Sequence, residues 1–488
     1  MSLKQQIQLD ETYLIPAYKR KPVEFVRGEG IRLFDDTGKQ YLDFFSGAGA
    51  VSVGHANPVV TRAIQQQAAK LLHVSNYYYV EGRGELAEKL SALLYAGPVD
   101  GQDGTQDDAQ NNTLSDTQYD ALGGSQNDAL GGSQNDVQND AQNDIKSDTL
   151  SGTLGDTQRS PWRFFFANSG AEAIEGAIKL ARKYGSTQLG GASTIISAKR
   201  SFHGRTLAAL AATGQPSKQE SFKPLPQGFV HVDINNIEGL KALLDEQSAS
   251  EGPQGGVSAG EGPQGEGPQD EKPRTGAVCA VLLECIQGEG GVYPCTEEYL
   301  KEVRRLTAER KILLIIDEVQ TGFFRTGTYP FAFQHAHVTP DVVTIAKGLG
   351  AGVPIGAFAA QGAAAEVLQP GDHGSTFGGS PLVIAAAHAV LSELERMDAA
   401  THVAEVGTYL KEQLQTLPLV IEIRGKGLML GIELSEPVAE QAVAAGLEVG
   451  LVLNSIGQSI LRFLPPLVCT KEDVDVLIEK LTTILKQG

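Results

Sequence analysis

Short runs of apolar residues, each ending in a charged or small residue, recur through the central part of the chain. Residues 312–316 form one such run, which ends at Asp317, and residues 342–346 form a second, which ends at Lys347. Short apolar runs bounded by turn residues are typical of strands buried in a parallel sheet. Because the chemistry of open α/β sheets gathers at the carboxyl ends of their strands, we expect Asp317 and Lys347 to serve one site. An acid and a lysine placed there favour an electron-sink cofactor, with the lysine forming a Schiff base and the acid pairing with a pyridinium nitrogen.

The same pattern divides the rest of the chain into an α/β part and an α+β part. Residues 22–45 alternate between apolar and polar positions and predict a β-meander, whereas residues 58–73 and 84–95 show helical spacing. From residue 162 onward strands and amphipathic helices alternate, which predicts a mostly parallel sheet with helices on both faces. Long helices and short strands from about residue 381 predict a smaller α+β domain. The predicted domains are residues 1–54, packing with the small domain, residues 55–370 as the large domain and residues 371–488 as the small domain.

Two low-complexity segments interrupt this pattern. Residues 101–158 are almost entirely small or polar and contain DALGGSQND at 120–128 and again at 128–136, while residues 251–273 repeat EGPQ. Such segments bury too little apolar surface to offset the entropy of ordering, so we predict two insertions in surface loops. Recruitment of a partner is the alternative interpretation of both segments.

Charge and cysteine content narrow the class of protein. The net charge is −19, but residues 100–158 alone hold twelve Asp and one Lys, and the remainder is mildly acidic, so no nucleic-acid or anionic-membrane surface is indicated. The four cysteines form no CxxC pair, which suits a reducing compartment. No run reaches the roughly 18 apolar residues of a membrane span, and the N-terminus lacks a signal-peptide core. We therefore expect a cytoplasmic protein.

The sequence ANSGAEA at residues 167–173 lies between a predicted strand and a predicted helix. The free N–H groups of Gly170 and Ala171 would point beyond the helix start, and Ser169 would add a hydroxyl, which together make a site for an anion. The alternative is an ordinary capped helix in which Ser169 is the N-cap.

Three further motifs carry polar groups on predicted loops or within apolar sequence. SFHGRT at 201–206 offers Phe202 to stack on a flat ring and Arg205 to bind a carboxylate, although a core phenylalanine and a surface arginine are the alternatives. ECIQGEGG at 284–291 places Glu284 and Glu289 beyond a strand, as acid/base groups or as solvated acids. ILRFLPPL at 460–467 embeds Arg462 in apolar sequence, and a buried arginine needs a partner, for which Glu289 is a candidate.

These motifs together resemble those of a known enzyme family, in the same order and over essentially the whole chain outside the two insertions. The family is that of the class-III aminotransferases, pyridoxal 5′-phosphate enzymes with the aspartate-aminotransferase fold, also called fold type I. The resemblance therefore implies this cofactor, an α/β large domain and a smaller α+β domain from both chain ends, and no metal site. The motifs are SGAEAIEGAIKLARKY, SFHGRTL, QGEGGV, LLIIDEVQTGFFRTG, TIAKGLGAGVPIGA, HGSTFGGSPL, RGKGLMLGIEL and LRFLPPL.

The resemblance assigns the chemistry to Lys347 and Asp317. Lys347 matches the lysine that binds the cofactor and moves the proton, and Asp317 matches the acid that keeps the pyridine nitrogen protonated. Val319 and Phe202 would enclose the ring, and Gln320 would contact its phenolic oxygen. The phosphate contacts fall on Ser169, Gly170 and Ala171, and on Thr376 from a neighbouring subunit, which implies a homodimer with shared sites.

The resemblance also assigns the substrate contacts. Arg205 matches the arginine that binds the α-carboxylate of the amino donor, while Glu289 and Arg462 match a pair that is closed for the donor and open for 2-oxoglutarate. Ser375 and Tyr18 are placed beside the substrate.

The implied reaction transfers the δ-amino group of N2-acetylornithine to 2-oxoglutarate. Succinylornithine, ornithine and 4-aminobutyrate are alternative donors, and Ala48, at a position that is bulkier in many relatives, bears on this choice. A rearrangement of one substrate without an external acceptor is a further alternative. The alternative from another class is a non-catalytic scaffold that recruits partners through its acidic insertions.

Overall fold

The computed structural model describes residues 2–96, 160–249 and 276–487 of the chain. Both predicted insertions, residues 101–158 and 251–273, lie outside the described residues. Among the helices within the described ranges, none has the length and apolar character needed to cross a bilayer.

The strands of the described residues fall into three larger sheets and one small hairpin. The strands are β1 (Phe25–Glu29), β2 (Arg32–Asp35), β3 (Gln40–Asp43), β4 (Arg163–Ala167), β5 (Thr194–Ala198), β6 (Phe229–Val232), β7 (Val278–Leu283), β8 (Ile286–Gln287), β9 (Tyr293–Pro294), β10 (Leu313–Asp317), β11 (Val342–Ile345), β12 (Gly356–Ala360), β13 (Val420–Lys426), β14 (Met429–Leu434), β15 (Leu451–Val452), β16 (Asn454–Ile456) and β17 (Ile460–Phe463).

Helices connect and cover these strands. The α-helices are α1 (Leu3–Tyr13), α2 (Ser46–Gly49), α3 (Pro58–Lys70), α4 (Arg83–Tyr95), α5 (Gly170–Gln188), α6 (Leu207–Ala212), α7 (Pro216–Gln219), α8 (Ile237–Ala249), α9 (Glu297–Glu309), α10 (Pro381–Arg396), α11 (Ala399–Leu414), α12 (Ala439–Glu448) and α13 (Lys471–Gln487). Short 3₁₀ turns occupy Glu220–Phe222, Ala332–Ala336, Lys347–Leu349 and Gly362–Glu366.

The largest sheet has seven strands in the order β4-β12-β11-β10-β7-β5-β6. The pairs β11/β10, β10/β7, β7/β5 and β5/β6 are parallel, as the alternation of strands and helices predicts. β12 is antiparallel to both of its neighbours. It follows β11 after a connection with only a short 3₁₀ turn, and a parallel return needs a crossover of a dozen or more residues. The prediction of a mostly parallel α/β sheet is thus confirmed, with one antiparallel strand that was not predicted.

Apolar burial explains the central strands and their helices. All residues of β7, β10 and β11 are buried, because helices cover both faces of the sheet. α5 buries Ala173, Ile174 and Ala177 along one side, at the spacing of an amphipathic helix.

Both ends of the chain contribute to the smaller α+β part. The meander β1–β3 is extended by β15 from the C-terminal region, which pairs in parallel with β3 through Leu451 and Leu42. The sheet β13-β14-β17-β16 is antiparallel and packs with α11 and α12, which α13 contacts in turn. This matches the predicted fold class, while the domain boundaries themselves stay a prediction.

Candidate active site

A cavity of about 390 Å³ lies at the carboxyl ends of the strands of the seven-stranded sheet. Asp317 is the last residue of β10, Glu284 directly follows β7, and Lys347 comes two residues after β11. Because β4 runs in the same direction as these strands, the start of α5 at Gly170 reaches the same edge. The structure therefore brings the acid and the lysine together where ligands of open α/β sheets bind.

Asp317 is only 5% exposed and is held by three groups of the protein. One carboxylate oxygen lies 2.8 Å from Nδ1 of the buried His203, and the other accepts from the N–H of Val319 at 3.0 Å and the hydroxyl of Thr344 at 3.2 Å. Burial alone would lower the pKa of His203, but its hydrogen bond with Asp317 and the charge of that residue outweigh burial, so the pKa is raised. The hydrogen bond with His203 fixes the orientation of the buried carboxylate.

Lys347 lies in a 3₁₀ turn with a backbone φ of 33°, outside the regions that a lysine normally prefers. Burial lowers the pKa of Lys347 to about 8, although the negative charges of Asp317 and Glu289 oppose the shift. The buried hydroxyl of Ser52 donates to the carbonyl of Gly348 at 2.7 Å and so supports the turn. At pH 7 a lysine with this pKa is still mostly protonated, but its neutral fraction is far larger than that of an ordinary lysine.

The start of α5 forms an anion cradle. Ser169 is the N-cap, and its hydroxyl accepts from the N–H of Glu172 at 3.2 Å. This is the role that the alternative of an ordinary capped helix predicts for Ser169. The N–H groups of Gly170 and Ala171 have no intrahelical acceptor, and no side chain of the described residues accepts from them. A Cβ at Gly170 would lie 2.7 Å from Cγ1 of Val319, so glycine is required here. The cradle is therefore open to an anionic ligand despite the cap.

Phe202, Val319 and Gln320 all line the cavity. The Gln320 side chain donates to the carbonyl of Ala48 at 3.3 Å and accepts from Arg462 at 3.4 Å, so it connects the cavity with the C-terminal part of the chain. Arg205 is exposed at the rim, with its guanidinium 5.5 Å from the centre of the Phe202 ring.

Glu289 and Arg462 form an ion pair of 2.7 Å at one end of the cavity. Arg462 is 2% exposed, and its Nε donates to Asn454 at 3.0 Å. Burial opposes ionisation of Glu289, but the charge and hydrogen bond of Arg462 outweigh it and lower the pKa of the carboxyl. The two residues, far apart in sequence, are thus brought together as the resemblance implies.

Arg462 does not itself line the cavity, although it bonds to Glu289 and Gln320, which do, and three further predicted site residues also do not line this cavity. Ser375 lies beside it, where its hydroxyl accepts from Asn168 at 3.2 Å, whereas Thr376 is exposed in a neighbouring cavity formed in part by residues 371–376. Tyr18 is 77% exposed and lies outside the cavity lining. The roles of these residues stay predictions.

From the sequence, His203 received no role, and Glu284 was interpreted as an acid/base group or a solvated acid. Glu284 is 7% exposed, and burial raises its pKa to about 7, although the charge of His203 acts in the opposite direction. The signal for His203 was its position between Phe202 and Arg205 in SFHGRT. Its partner Asp317 lies 114 residues away, so the pair could not be read from the local pattern.

The residues of the cavity fit a flat, nitrogen-containing ring that carries a phosphate. The unpaired N–H groups at Gly170 and Ala171 suit the phosphate, the buried carboxylate of Asp317 suits a protonated ring nitrogen, and Lys347 offers an amine. Phe202 and Val319 supply apolar surface for the faces of the ring.

Comparison with known proteins agrees with this geometry. The family model described as aminotransferase class-III matches residues 15–101 and 121–485. The chain belongs to the class-III aminotransferases. This confirms the predicted family, enzyme class and cofactor, pyridoxal 5′-phosphate, and it implies an amino donor and an amino acceptor as substrates.

Individual class-III aminotransferases and related solved structures cover nearly the whole chain. This chain is 39% identical to the acetylornithine aminotransferase of Caldanaerobacter subterraneus subsp. tengcongensis over 486 residues, and the match covers 99% of each chain. The solved acetylornithine aminotransferase of Elizabethkingia anophelis is 26% identical, with a TM-score of 0.71 and 100% of both chains covered. An ornithine aminotransferase of Toxoplasma gondii, with pyridoxal phosphate at partial occupancy in its active site, is 25% identical, with a TM-score of 0.76, covering 100% of this chain and 94% of that chain.

Proposed function

We propose that this class-III aminotransferase transfers the δ-amino group of N2-acetylornithine to 2-oxoglutarate in arginine biosynthesis. The products are N-acetylglutamate 5-semialdehyde and glutamate. The observation that carries the proposal is the ion pair between Glu289 and the buried Arg462, at one end of a cavity that has Arg205 at its rim. The 39% identity to an acetylornithine aminotransferase over 99% of the chain supports the same donor.

Lys347 and Asp317 carry the chemical step. Bound pyridoxal phosphate supplies a group that condenses with the amine and a ring that accepts the electrons of the substrate carbon. Nζ of Lys347 takes the proton from the substrate carbon that bears the amino group, and its pKa of about 8 suits this exchange near neutral pH. Asp317, oriented by His203, keeps a proton on the ring nitrogen.

Arg205 and Arg462 select the substrates by charge. The donor carries one carboxylate, which Arg205 binds while Glu289 neutralises Arg462 at 2.7 Å. 2-Oxoglutarate carries two carboxylates, so Glu289 releases Arg462 to bind the α-carboxylate and Arg205 takes the distal one. One cavity thus accepts both substrates without leaving a buried charge unpaired.

A comparison of four donors tests the proposal. Steady-state kcat/KM is measured for N2-acetylornithine, succinylornithine, ornithine and 4-aminobutyrate at a fixed concentration of 2-oxoglutarate. We expect the highest value for N2-acetylornithine, and a higher value for any of the other three would overturn the choice of donor. Turnover without 2-oxoglutarate would instead indicate rearrangement of a single substrate.

The active unit in this proposal is a homodimer. An exposed aromatic surface supports the homodimer. It consists of Tyr77, Tyr78, Tyr79 and Phe377, all of which are strongly exposed. Asn76 donates to the carbonyl of Ser375 at 2.8 Å, so this surface adjoins the segment that carries Ser375 and Thr376. Exposed apolar patches of this kind mark protein interfaces. Sedimentation equilibrium is expected to give twice the chain mass, and a monomer with full turnover would contradict the shared site.

The proposal also places the enzyme in the cytoplasm. The four cysteines, Cys279, Cys285, Cys295 and Cys469, are all unpaired thiols, which suits a reducing compartment. Cell fractionation with an antibody against the chain is expected to recover it in the cytoplasmic fraction, and recovery from an oxidising compartment would count against the proposal.

A further inference from the structure

The carboxylate of Glu284 connects two loops of the active site. Its Oε2 accepts from the N–H of Phe202 at 3.0 Å, and its Oε1 accepts from the N–H of Gly288 at 3.2 Å. Glu284 directly follows β7, in the middle of the sheet, and is almost fully buried. Each oxygen therefore holds a different segment of backbone, and both segments are tied to one rigid strand.

The two loops carry the groups that bind substrate carboxylates. Arg205 lies three residues after Phe202, and Glu289, the partner of Arg462, directly follows Gly288. Both loops contain positive backbone φ angles, 141° at Gly204 and 120° at Gly291, and no backbone hydrogen bond of the described residues joins one loop to the other. Their relative position therefore depends on side-chain bonds such as those of Glu284.

A second hydrogen bond joins the same two segments, but it lies farther from the groups that bind the substrate carboxylates. The side chain of Gln287 donates to the carbonyl of Lys199 at 2.7 Å, which joins the loops at their ends nearest the strands. The hydrogen bonds of Glu284 lie closer to the groups that bind the substrate carboxylates. Phe202, one of its two donors, is three residues from Arg205, and Gly288, the other, directly precedes Glu289.

We infer that Glu284 is a positioning residue that sets the separation of Arg205 from the Glu289–Arg462 pair, and with it the length of the dicarboxylate that the site accepts. The roles of Arg205 and Arg462 in this inference rest on the proposed function. Only a carboxylate suits the position, because two N–H donors approach two different oxygens. A glutamine would present its NH₂ group to one of these donors, and one loop would lose its hydrogen bond.

Glu284→Gln tests the inference, with Glu318→Gln as its matched control. Glu318 is also fully buried, directly follows β10, and accepts from the N–H of Phe333 at 2.9 Å and from Thr321, and none of its side-chain hydrogen bonds reaches a carboxylate-binding loop. For Glu284→Gln we expect the KM for 2-oxoglutarate to rise about tenfold or more, with kcat changed by less than about threefold. The preference for 2-oxoglutarate over the longer 2-oxoadipate is expected to fall in this variant and to be unchanged in the control.

Amide hydrogen exchange gives a readout that needs no substrate. In Glu284→Gln, exchange at the N–H of Phe202 or Gly288 is expected to be at least about tenfold faster, whereas in the control both amides keep the rates of the unaltered protein. The inference would be overturned if both amides exchanged in Glu284→Gln as slowly as in the unaltered protein. It would also be overturned if the preference for 2-oxoglutarate changed equally in both variants. Should Glu284→Gln fail to fold, Glu284→Asp keeps the charge, shortens the reach by one methylene and is expected to give the same two changes.

The two measurements separate this inference from the proposed function. If another donor proves better than N2-acetylornithine, the function fails, yet exchange at the two amides and the preference among acceptors still test Glu284. If the donor is right but exchange and acceptor preference are unchanged, the inference about Glu284 alone is wrong.

Discussion

The two halves of the active site are held in opposite ways. Around Asp317 and Lys347, the groups come from neighbouring strands of one sheet, and Asp317 keeps its contact with His203 at 2.8 Å and with two further donors. Around Glu289 and Arg462, the groups come from a loop of the large sheet and from β17 of a different sheet, joined by one ion pair. Several hydrogen bonds fix the first half, whereas the second half depends on one ion pair, which must open when 2-oxoglutarate binds.

This difference matches the tasks of the two halves. A group that performs the same proton transfer for every substrate gains from a rigid environment, because preorganised charges need no rearrangement during the reaction. A group that meets two differently charged substrates needs two arrangements of similar free energy. Arg462 has two such arrangements, because it pairs either with Glu289 or with a carboxylate of the substrate. Changes in the first half should therefore affect both half-reactions equally, and changes in the second half should affect them unequally.

The largest effect is expected from Lys347→Ala. Removing the amine should lower turnover with every donor by about 10³-fold or more, because no other amine lines the cavity in the described part of the chain. Turnover and the absorbance of the lysine-bound cofactor are the measurements. Lys241→Ala, at a lysine of α8 that pairs with Glu238 and with Glu302 of α9, is the control and should keep both. Undiminished turnover of Lys347→Ala would show that the chemistry lies elsewhere.

Asp317→Asn is expected to rank second, lowering the rates of both half-reactions by about 10²-fold. The amide no longer stabilises a proton on the ring nitrogen, and it leaves the buried His203 without its anionic partner. Single-turnover rates with N2-acetylornithine and with 2-oxoglutarate are the measurements. Asp341→Asn, at the opposite end of the same sheet, is the control for loss of stability. A large loss confined to one half-reaction would contradict the division between the halves.

Glu289→Gln should change the two half-reactions in opposite directions, each by about tenfold. Without the carboxylate, the buried Arg462 is free for 2-oxoglutarate and faces the donor as an unpaired cation. The KM for 2-oxoglutarate is therefore expected to fall and that for N2-acetylornithine to rise. Separate titration of each half-reaction measures both constants, and a parallel shift would argue against an exchanging pair.

The smallest effect concerns the pH dependence of cofactor capture. The pKa of Lys347 is lowered to about 8, so the cofactor-free protein should capture pyridoxal phosphate faster as pH rises, with a midpoint near 8 instead of the ordinary 10.5. Below this pH the amine is protonated and unreactive. Because the charge of Glu289 raises this pKa, Glu289→Gln should move the midpoint lower. A midpoint above 10 in both proteins would exclude the effect of burial.

Much of the fixed half could be predicted from the sequence. Asp317, Lys347 and the start of α5 follow apolar runs directly, and the carboxyl ends of parallel strands meet at one edge. The bounds of α3 and α4 also lie close to the predicted 58–73 and 84–95.

The remainder depends on contacts between distant parts of the chain. The pair of His203 with Asp317, the two bonds of Glu284 and the burial of Glu318 arise only when separate strands align. The reversed direction of β12 was missed, although the lack of a crossover helix after Lys347 signalled it.

The position of β4 at the edge of the large sheet has a consequence for folding on the ribosome. β4 is the first of the seven strands to be synthesised, and in the described sheet it pairs only with β12, which is the last. The anion cradle at Gly170 follows β4 directly, so the strand that leads into it stays unpaired until the chain has been made beyond Ala360, although α5 itself also packs on β7 and β11. Such long-range pairing delays the completion of a fold. The junction of β4 with α5, where the cradle lies, therefore reaches its final position only in chains whose large sheet is finished.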